Sequence, residues 1–287
     1  MILLTGTTGT VGRAVMTELL TRGAGPLRAL CRNEKDIGTL PPEVSGVKGD
    51  FADPTSLSAA LSGVQTAFLV CAPVPNLIQL ETNFLLACKA AGIKHLVINS
   101  ALGAGDFPKT FPSWHRKVED KARELSLPAV FIRPNGFMQN IATYFAPTIT
   151  TQDAFYGTIG DAKISLIDAR DVGAAIASAL LDHRTLGKVY EISGPQAFSY
   201  SEVAGEISNV TGRSIKYVNL TPEQMKAAMV GSGMPEAQAT AVLELDDYYR
   251  SGKGAASDQA LRSLLGTKSP RTLRSYLQEI APRLAKK

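Results

Sequence analysis

Two short stretches carry residues whose types and spacing suit chemistry. The first is TGTTGTVG, residues 5–12, which follows an apolar run and opens a helical pattern. Gly6 permits a tight turn, Gly9 removes a side chain where a pyrophosphate would approach the backbone, and Gly12 lets the helix pack closely on the preceding strand. The backbone N–H groups of Thr7, Thr8, Thr10 and Val11, with the positive end of the helix dipole, complete a cradle for phosphates. The strand–turn–helix setting separates such a cradle from a glycine-rich loop that binds nothing. About 20 residues on, an NAD site carries an acidic side chain for the ribose hydroxyls. Here the second strand ends in Arg32, and Arg13 follows the last glycine. A guanidinium forks onto the extra phosphate of NADP, so NADP(H) is expected in preference to NAD(H). The second stretch is FPSWHRKVED, residues 111–120, which sets the single tryptophan, Trp114, beside His115. Trp114, Val118, Ala122 and Leu125 form a core stripe at helical spacing. His115 lies ~100° round the helix from Trp114. It is expected half-exposed at the edge of that stripe, with Glu119 one turn further on. There it is either an ordinary surface group or one that orients a ligand or hands over a proton.

The elements that must hold these residues alternate in type. Strand patterns at 2–5, 26–31, 44–48, 66–70, 94–100 and 129–134 enclose helical stretches such as Val11–Leu20, Pro54–Leu61 and Asn76–Ala91. Asp53-Pro54 reads as an N-cap followed by proline at the first helical position. The alternation predicts an α/β fold with a doubly wound parallel sheet, the Rossmann arrangement, over residues 1–134. Residues 135–287 are expected to form a smaller, mostly helical substrate-side region, with some segments returning to the core. Within it a strand is expected at Lys163–Ile167, a helix from about Asp168 to Leu181, and another strand at VYEIS. Capping boxes at Ser199 and Thr221 open two further helices.

Composition narrows the function classes. A chain of 287 residues, 45% hydrophobic, has ample core for one large domain or two unequal ones. A net charge of +4 without any basic run gives no nucleic-acid arm. Cys31, Cys71 and Cys88 lack metal or redox spacing and read as reduced thiols. His95, His115 and His183 lie far apart in sequence, so no metal site is expected. With neither a leader pattern nor an apolar run of ~20 residues, a cytoplasmic protein off the membrane is expected.

The G-x-x-G-x-x-G spacing resembles the short-chain dehydrogenase/reductase superfamily. The pattern SALGA…WHRKVE…LPAVFIRPNGFMQN is similar to its atypical NmrA-like branch, which holds quinone oxidoreductases, triphenylmethane-dye and azo-dye reductases, and redox-sensing regulators. The likeness continues through SLIDARDVGAAIASAL, VYEISGP and GMPEA, nearly the whole chain. It implies that Asp50 and Phe51 flank the adenine, and that Val70, Cys71 and Ala72 line the nicotinamide ribose. The superfamily's Tyr-x-x-x-Lys pair falls, by register, on Phe111 and His115. A phenyl ring cannot pass a proton, so ordinary alcohol–ketone chemistry is missing. The resemblance also implies a substrate-facing hydroxyl at Ser100, although a turn hydroxyl would read the same way. Phe111, Phe137, Met138 and Tyr144, in a segment that also holds Phe145, Phe155 and Tyr156, are expected to wall a flat apolar pocket, some of them as core. The implied activity is an NADPH-dependent reductase, monomer or homodimer, acting on an electrophilic small-molecule acceptor of quinone, dye or imine type. The alternative is a non-enzymatic NADP-binding sensor.

Overall fold

The computed structural model describes residues 1–286. Strands and helices alternate from the first residues onward: β1 (Ile2–Leu4), α1 (Thr10–Thr21), β2 (Leu27–Cys31), the single turn α2 (Glu34–Ile37), β3 (Val44–Lys48), α3 (Pro54–Leu61), β4 (Thr66–Leu69), α4 (Leu77–Ala91), β5 (His95–Asn99), α5 (Thr110–Glu124) and β6 (Ala129–Pro134). The second half adds α6 (Ala146–Gln152), β7 (Ala154–Gly157), β8 (Lys163–Ile164), α7 (Ala169–Leu181), β9 (Val189–Ile192), β10 (Phe198–Ser199), α8 (Tyr200–Thr211), β11 (Lys216–Asn219), α9 (Pro222–Gly231), α10 (Glu236–Tyr248), α11 (Gln259–Leu265) and α12 (Leu273–Ile280).

Seven strands form one parallel sheet in the order β3-β2-β1-β4-β5-β6-β9. The order reverses between β1 and β4, which opens a crevice at the carboxyl ends of the strands. Residues Leu96, Val97 and Ile98 of β5 and Val130 and Ile132 of β6 are buried, as a sheet covered on both faces requires. One face is closed by α1, α7 and α11 around Val15, Leu19, Val172 and Leu261. The other is closed by α3, α4 and α5 around Leu57, Phe84, Leu85 and Val118. Asp53 caps α3 by accepting the N–H of Thr55 at 3.1 Å, and both capping boxes close as their sequences require.

The chain after Pro134 contributes to both bodies. α7 packs against α1, and β9 extends the main sheet beside β6. The remaining segments enclose a third apolar cluster around Ile141, Ile149, Phe155, Val203 and Leu277. The strand expected at Lys163–Ile167 shortens to two residues paired with β10, with Ile167 reaching only a bridge to Phe137. Among the described residues no helix is long and apolar enough to cross a membrane.

Candidate active site

The glycine turn joins β1 to α1 at the crevice. Gly9 stands at the N-cap of α1 and no side chain caps the helix. Gly6, Thr8, Gly9 and Thr10 are exposed, whereas Thr7, Val11 and Gly12 are buried beneath them. A helix with a glycine cap leaves its first N–H groups without partners, which is the usual seat of a phosphate. Two glycines are sterically required. A Cβ on Gly12 would lie 2.1 Å from the carbonyl oxygen of Gly6, and one on Gly6, at φ +61°, would lie 2.6 Å from Cγ1 of Val70. Thr5 then locks the turn to the exit of β4. Its hydroxyl accepts the N–H of Val70 at 2.9 Å and donates to the Val70 carbonyl at 3.2 Å.

Around this turn the expected cofactor residues gather at the same edge of the sheet. Arg32, at the end of β2, is exposed and has no hydrogen bond or ion pair among the described residues. Arg13 is partly committed, donating to the carbonyl of Thr8 at 3.1 Å. Asp50 follows β3 and accepts the N–H of Ala52 at 2.8 Å. Phe51 packs on Phe84 with ring centroids 5.1 Å apart, and its carbonyl accepts a hydrogen bond from Asn83. Cys71 is half-buried and Ala72 exposed. Burial pushes the Cys71 thiol up to about 11, which leaves it protonated and unreactive. A bare helix terminus and a tight glycine turn fit the pyrophosphate of a dinucleotide.

The helix α5 carries the second half of the site, and here the structure corrects one expectation. His115 is buried, 8% exposed, and lies deeper than Trp114, which is only partly buried. Trp114 meets Phe111 edge to face at 5.1 Å and packs against the α3–α4–α5 cluster. The four-residue spacing identified the stripe, but α5 is rotated so that His115 also faces inward. Burial lowers the imidazole to about 4, against an opposing pull from Glu119, so the ring is neutral at pH 7. Nδ1 is sealed without a partner, which leaves Nε2 as the nitrogen able to meet a ligand.

Beneath His115 lies a network with little warning in the sequence. Glu119 is fully buried and accepts the Ser100 hydroxyl at 2.7 Å. Arg133 grips the same carboxylate with two bonds, at 2.8 and 2.7 Å, and Arg123 adds a third at 2.9 Å. Burial raises Glu119, but the bonds from Arg133 and Ser100 outweigh it and hold the group below the usual carboxylate range. Arg133 reaches on to Glu191 of β9 at 3.0 Å. One carboxylate thus ties α5 to β5 and β6, and through Arg133 to β9. The hydroxyl proton of Ser100 is directed into this network. The only signal was a single arginine inside the apolar run AVFIRP. The start of α5 is also held from outside: Thr110, a β-branched residue at φ 45°, donates its hydroxyl to the carbonyl of Ala241 on α10 at 3.0 Å.

The aromatic segment divides. Phe145 and Phe155 stack at 4.7 Å and join Tyr200 and Tyr217 as core. Met138 is 1% exposed within that same cluster. Phe111 and Phe137 are partly buried, and Tyr144 stands 64% exposed on the turn Ile141–Phe145. Among the described residues no group of three or more His, Cys, Asp or Glu side chains is placed to hold a metal ion.

A parallel sheet with this switch point, glycine turn and uncapped helix defines a dinucleotide-binding protein of the Rossmann class. The chain belongs to the NmrA-like family, whose model matches residues 1–277. It is 38% identical over 247 residues to an NAD(P)H azoreductase of Xenophilus azovorans, covering 85% of this chain and 86% of the relative. It is 32% identical over 270 residues to a (4-alkanoyl-5-oxo-2,5-dihydrofuran-3-yl)methyl phosphate reductase of Streptomyces griseus, covering 93% of each. Among solved structures, the NADPH complex of the Escherichia coli quinone oxidoreductase QOR2 superimposes with a TM-score of 0.90 at 26% identity, covering 98% of this chain and 99% of that one.

Proposed function

We propose that this chain is an NADPH-dependent reductase that passes hydride to a flat, already electrophilic acceptor such as a quinone or an azo compound. The enzyme class, an NAD(P)H-dependent oxidoreductase, rests on family membership and on the reductases that match over most of its length. Supporting the acceptor class are the azoreductase and the quinone oxidoreductase among those matches. The observation that carries the reading is the pair Phe111 and His115 on α5: a phenyl ring, and an imidazole that burial keeps neutral. Neither is a strong acid at pH 7, so the acceptor must take hydride without being protonated first.

The bound nicotinamide would supply the hydride, and the protein's task is to position it and exclude water. In this reading the Gly6–Gly12 turn and the N-terminus of α1 hold the pyrophosphate, and Arg32 grips the extra phosphate. Asp50 and Phe51 flank the adenine, while Val70, Cys71 and Ala72 bound the nicotinamide ribose. His115, through Nε2, orients the ribose or the acceptor. Phe111, Phe137 and Tyr144 wall the acceptor space; Met138 backs it from the core. The Glu119–Arg133 pair fixes the register of α5, and Ser100 serves through that network rather than as a free acid.

The test is the loss of NADPH absorbance with purified protein and a panel of quinones, azo dyes, triphenylmethane dyes and a cyclic imine, repeated with NADH. Consumption with one acceptor class, faster with NADPH, is expected. Tight cofactor binding with no consumption on any acceptor would overturn the reading in favour of a cofactor-binding sensor.

A further inference from the structure

The most anomalous polar group near the proposed cofactor crevice is Glu81, one turn into α4. It is fully buried, and neither carboxylate oxygen has a hydrogen-bond partner among the described residues. Its surroundings are apolar: Leu77, Phe84 and Leu85 of its own helix and Leu57 of α3 belong to the cluster on this face of the sheet. The backbone N–H of Cys71 faces it without reaching hydrogen-bond geometry. An ionised carboxylate cannot persist in such a place without a partner. Burial accordingly pushes Glu81 up to about 8, and the Cys71 N–H opposes this only weakly. Near neutral pH the side chain is therefore mostly a neutral acid.

Few charges reach it. α3 carries no titratable side chain, and His115, Lys117 and Lys121 of α5 make no hydrogen bond or ion pair with it. On the crevice side stands the Cys71 thiol, which feels Glu81 directly and, further off, Arg32 and Asp50. Cys71 is half-exposed where the proposed function sets the nicotinamide ribose. Glu81 thus sits immediately behind the crevice wall, in a medium that screens charge poorly.

We infer that Glu81 is a buried proton store that reads the charge of the bound cofactor, giving up its proton to solvent when the oxidised form binds and keeping it when the reduced form binds. This rests on the proposed seating of the nicotinamide at Val70–Ala72. The two cofactor forms share every phosphate and the adenine, and they differ by one positive charge on the nicotinamide ring. An anion at Glu81 is stabilised by that charge, so proton loss and binding of the oxidised form are linked. The preference for reduced over oxidised cofactor then weakens as pH rises, and product release is quickest on the acid side.

The experiment measures dissociation constants for NADP⁺ and NADPH between about pH 6.5 and about pH 9, for the wild type and Glu81→Gln, by calorimetry and by NADPH fluorescence. Titration of the shared 2′-phosphate cancels in the ratio of the two constants. In the wild type, NADP⁺ is expected to tighten about three- to tenfold relative to NADPH across that range. In Glu81→Gln, an isosteric neutral amide, the ratio stays flat. Calorimetry of the wild type in two buffers of different ionisation enthalpy should show NADP⁺ releasing up to about half a proton more than NADPH near pH 7.5. That measurement decides the matter even if the variant does not fold. Binding of both forms with a flat ratio and equal proton counts overturns the proton store while leaving the cofactor site standing, and so does a slope that survives in Glu81→Gln. Failure of both forms to bind overturns the site itself, and the inference with it.

Discussion

Arg32→Ala is the cleanest perturbation of the cofactor reading, because the guanidinium is exposed and has no intramolecular partner among the described residues. Its removal leaves no buried group unpaired, so stability should stay within ~0.5 kcal/mol of the wild type. What is lost is a charge-assisted, forked contact to a phosphate, worth about 1.5–3 kcal/mol. At ~1.4 kcal/mol per tenfold, that weakens NADPH binding about 10- to 150-fold. NADH, which lacks the extra phosphate, should bind as before. Arg13 softens the effect little, since it already donates to the carbonyl of Thr8. The assay is cofactor fluorescence titration with both nucleotides at low and high salt, the NADPH advantage shrinking as ionic strength rises. Equal weakening of NADH and NADPH, or no change in either, would refute Arg32 as the reader of the phosphate.

Three further outcomes are expected. His115→Ala should lower kcat/KM about 5- to 150-fold, the range for losing one well-placed hydrogen bond; because the wild-type ring titrates near 4, activity should show no His115-dependent inflection between about pH 5.5 and about pH 8, and one near pH 6.5 that vanishes in the variant would refute the neutral imidazole. Glu119→Leu strands Arg133 with only the half-exposed Glu191 and should cost about 3–5 kcal/mol, a fall of roughly 5–8 °C in the thermal midpoint, which calorimetry reads directly; a drop of only a degree or two would mean that the network does not hold α5 in place. For stability against pH, Glu81 has a folded value raised to about 8, so the folded state retains a proton that the unfolded chain has lost and stability falls as pH rises toward that value. His95 and His115, lowered to about 4, have the opposite sign: their contribution grows as pH rises from about 4, still has about 0.4 kcal/mol each to gain at about pH 6.5, and is complete by about pH 7.5. Denaturant unfolding should therefore show the wild type losing up to about 2 kcal/mol relative to Glu81→Gln between about pH 6.5 and about pH 8, the difference cancelling the histidines common to both.

The half of the fold that carries the cofactor was legible because its signals are local. Strand, glycine turn and helix follow one another within twenty residues, and the steric demand at Gly12, 2.1 Å from a carbonyl, is met by one residue type alone. Caps at Asp53, Ser199 and Thr221 were likewise readable, since each is a contact between residues two or three apart. What failed to appear was set by contacts across long separations. Arg133 meets Glu119 across 14 residues and Glu191 across 58, and no periodicity announces either. The aromatics of residues 137–156 could not be sorted into wall and core, because Tyr200 and Tyr217, which claim Phe145 and Phe155, come from elements far down the chain.

The misjudged burial of His115 has the largest chemical consequence. An exposed imidazole titrates near neutrality and can lend a proton to a poor electrophile. The buried ring, held near 4, carries no charge at pH 7 and can meet a ligand only through Nε2. Together with Phe111 in place of a phenol, it leaves these two positions of α5 without an acid able to protonate a ketone at pH 7. The same burial lets Glu119 serve structure instead of pairing with a histidine cation, because Arg133 and Arg123 already take its oxygens. On the proposed reading, α5 positions the cofactor and the acceptor rather than delivering a proton to them. For that reason the proposed acceptor is one whose electron sink is built into a conjugated ring or an azo bond, which needs no prior protonation.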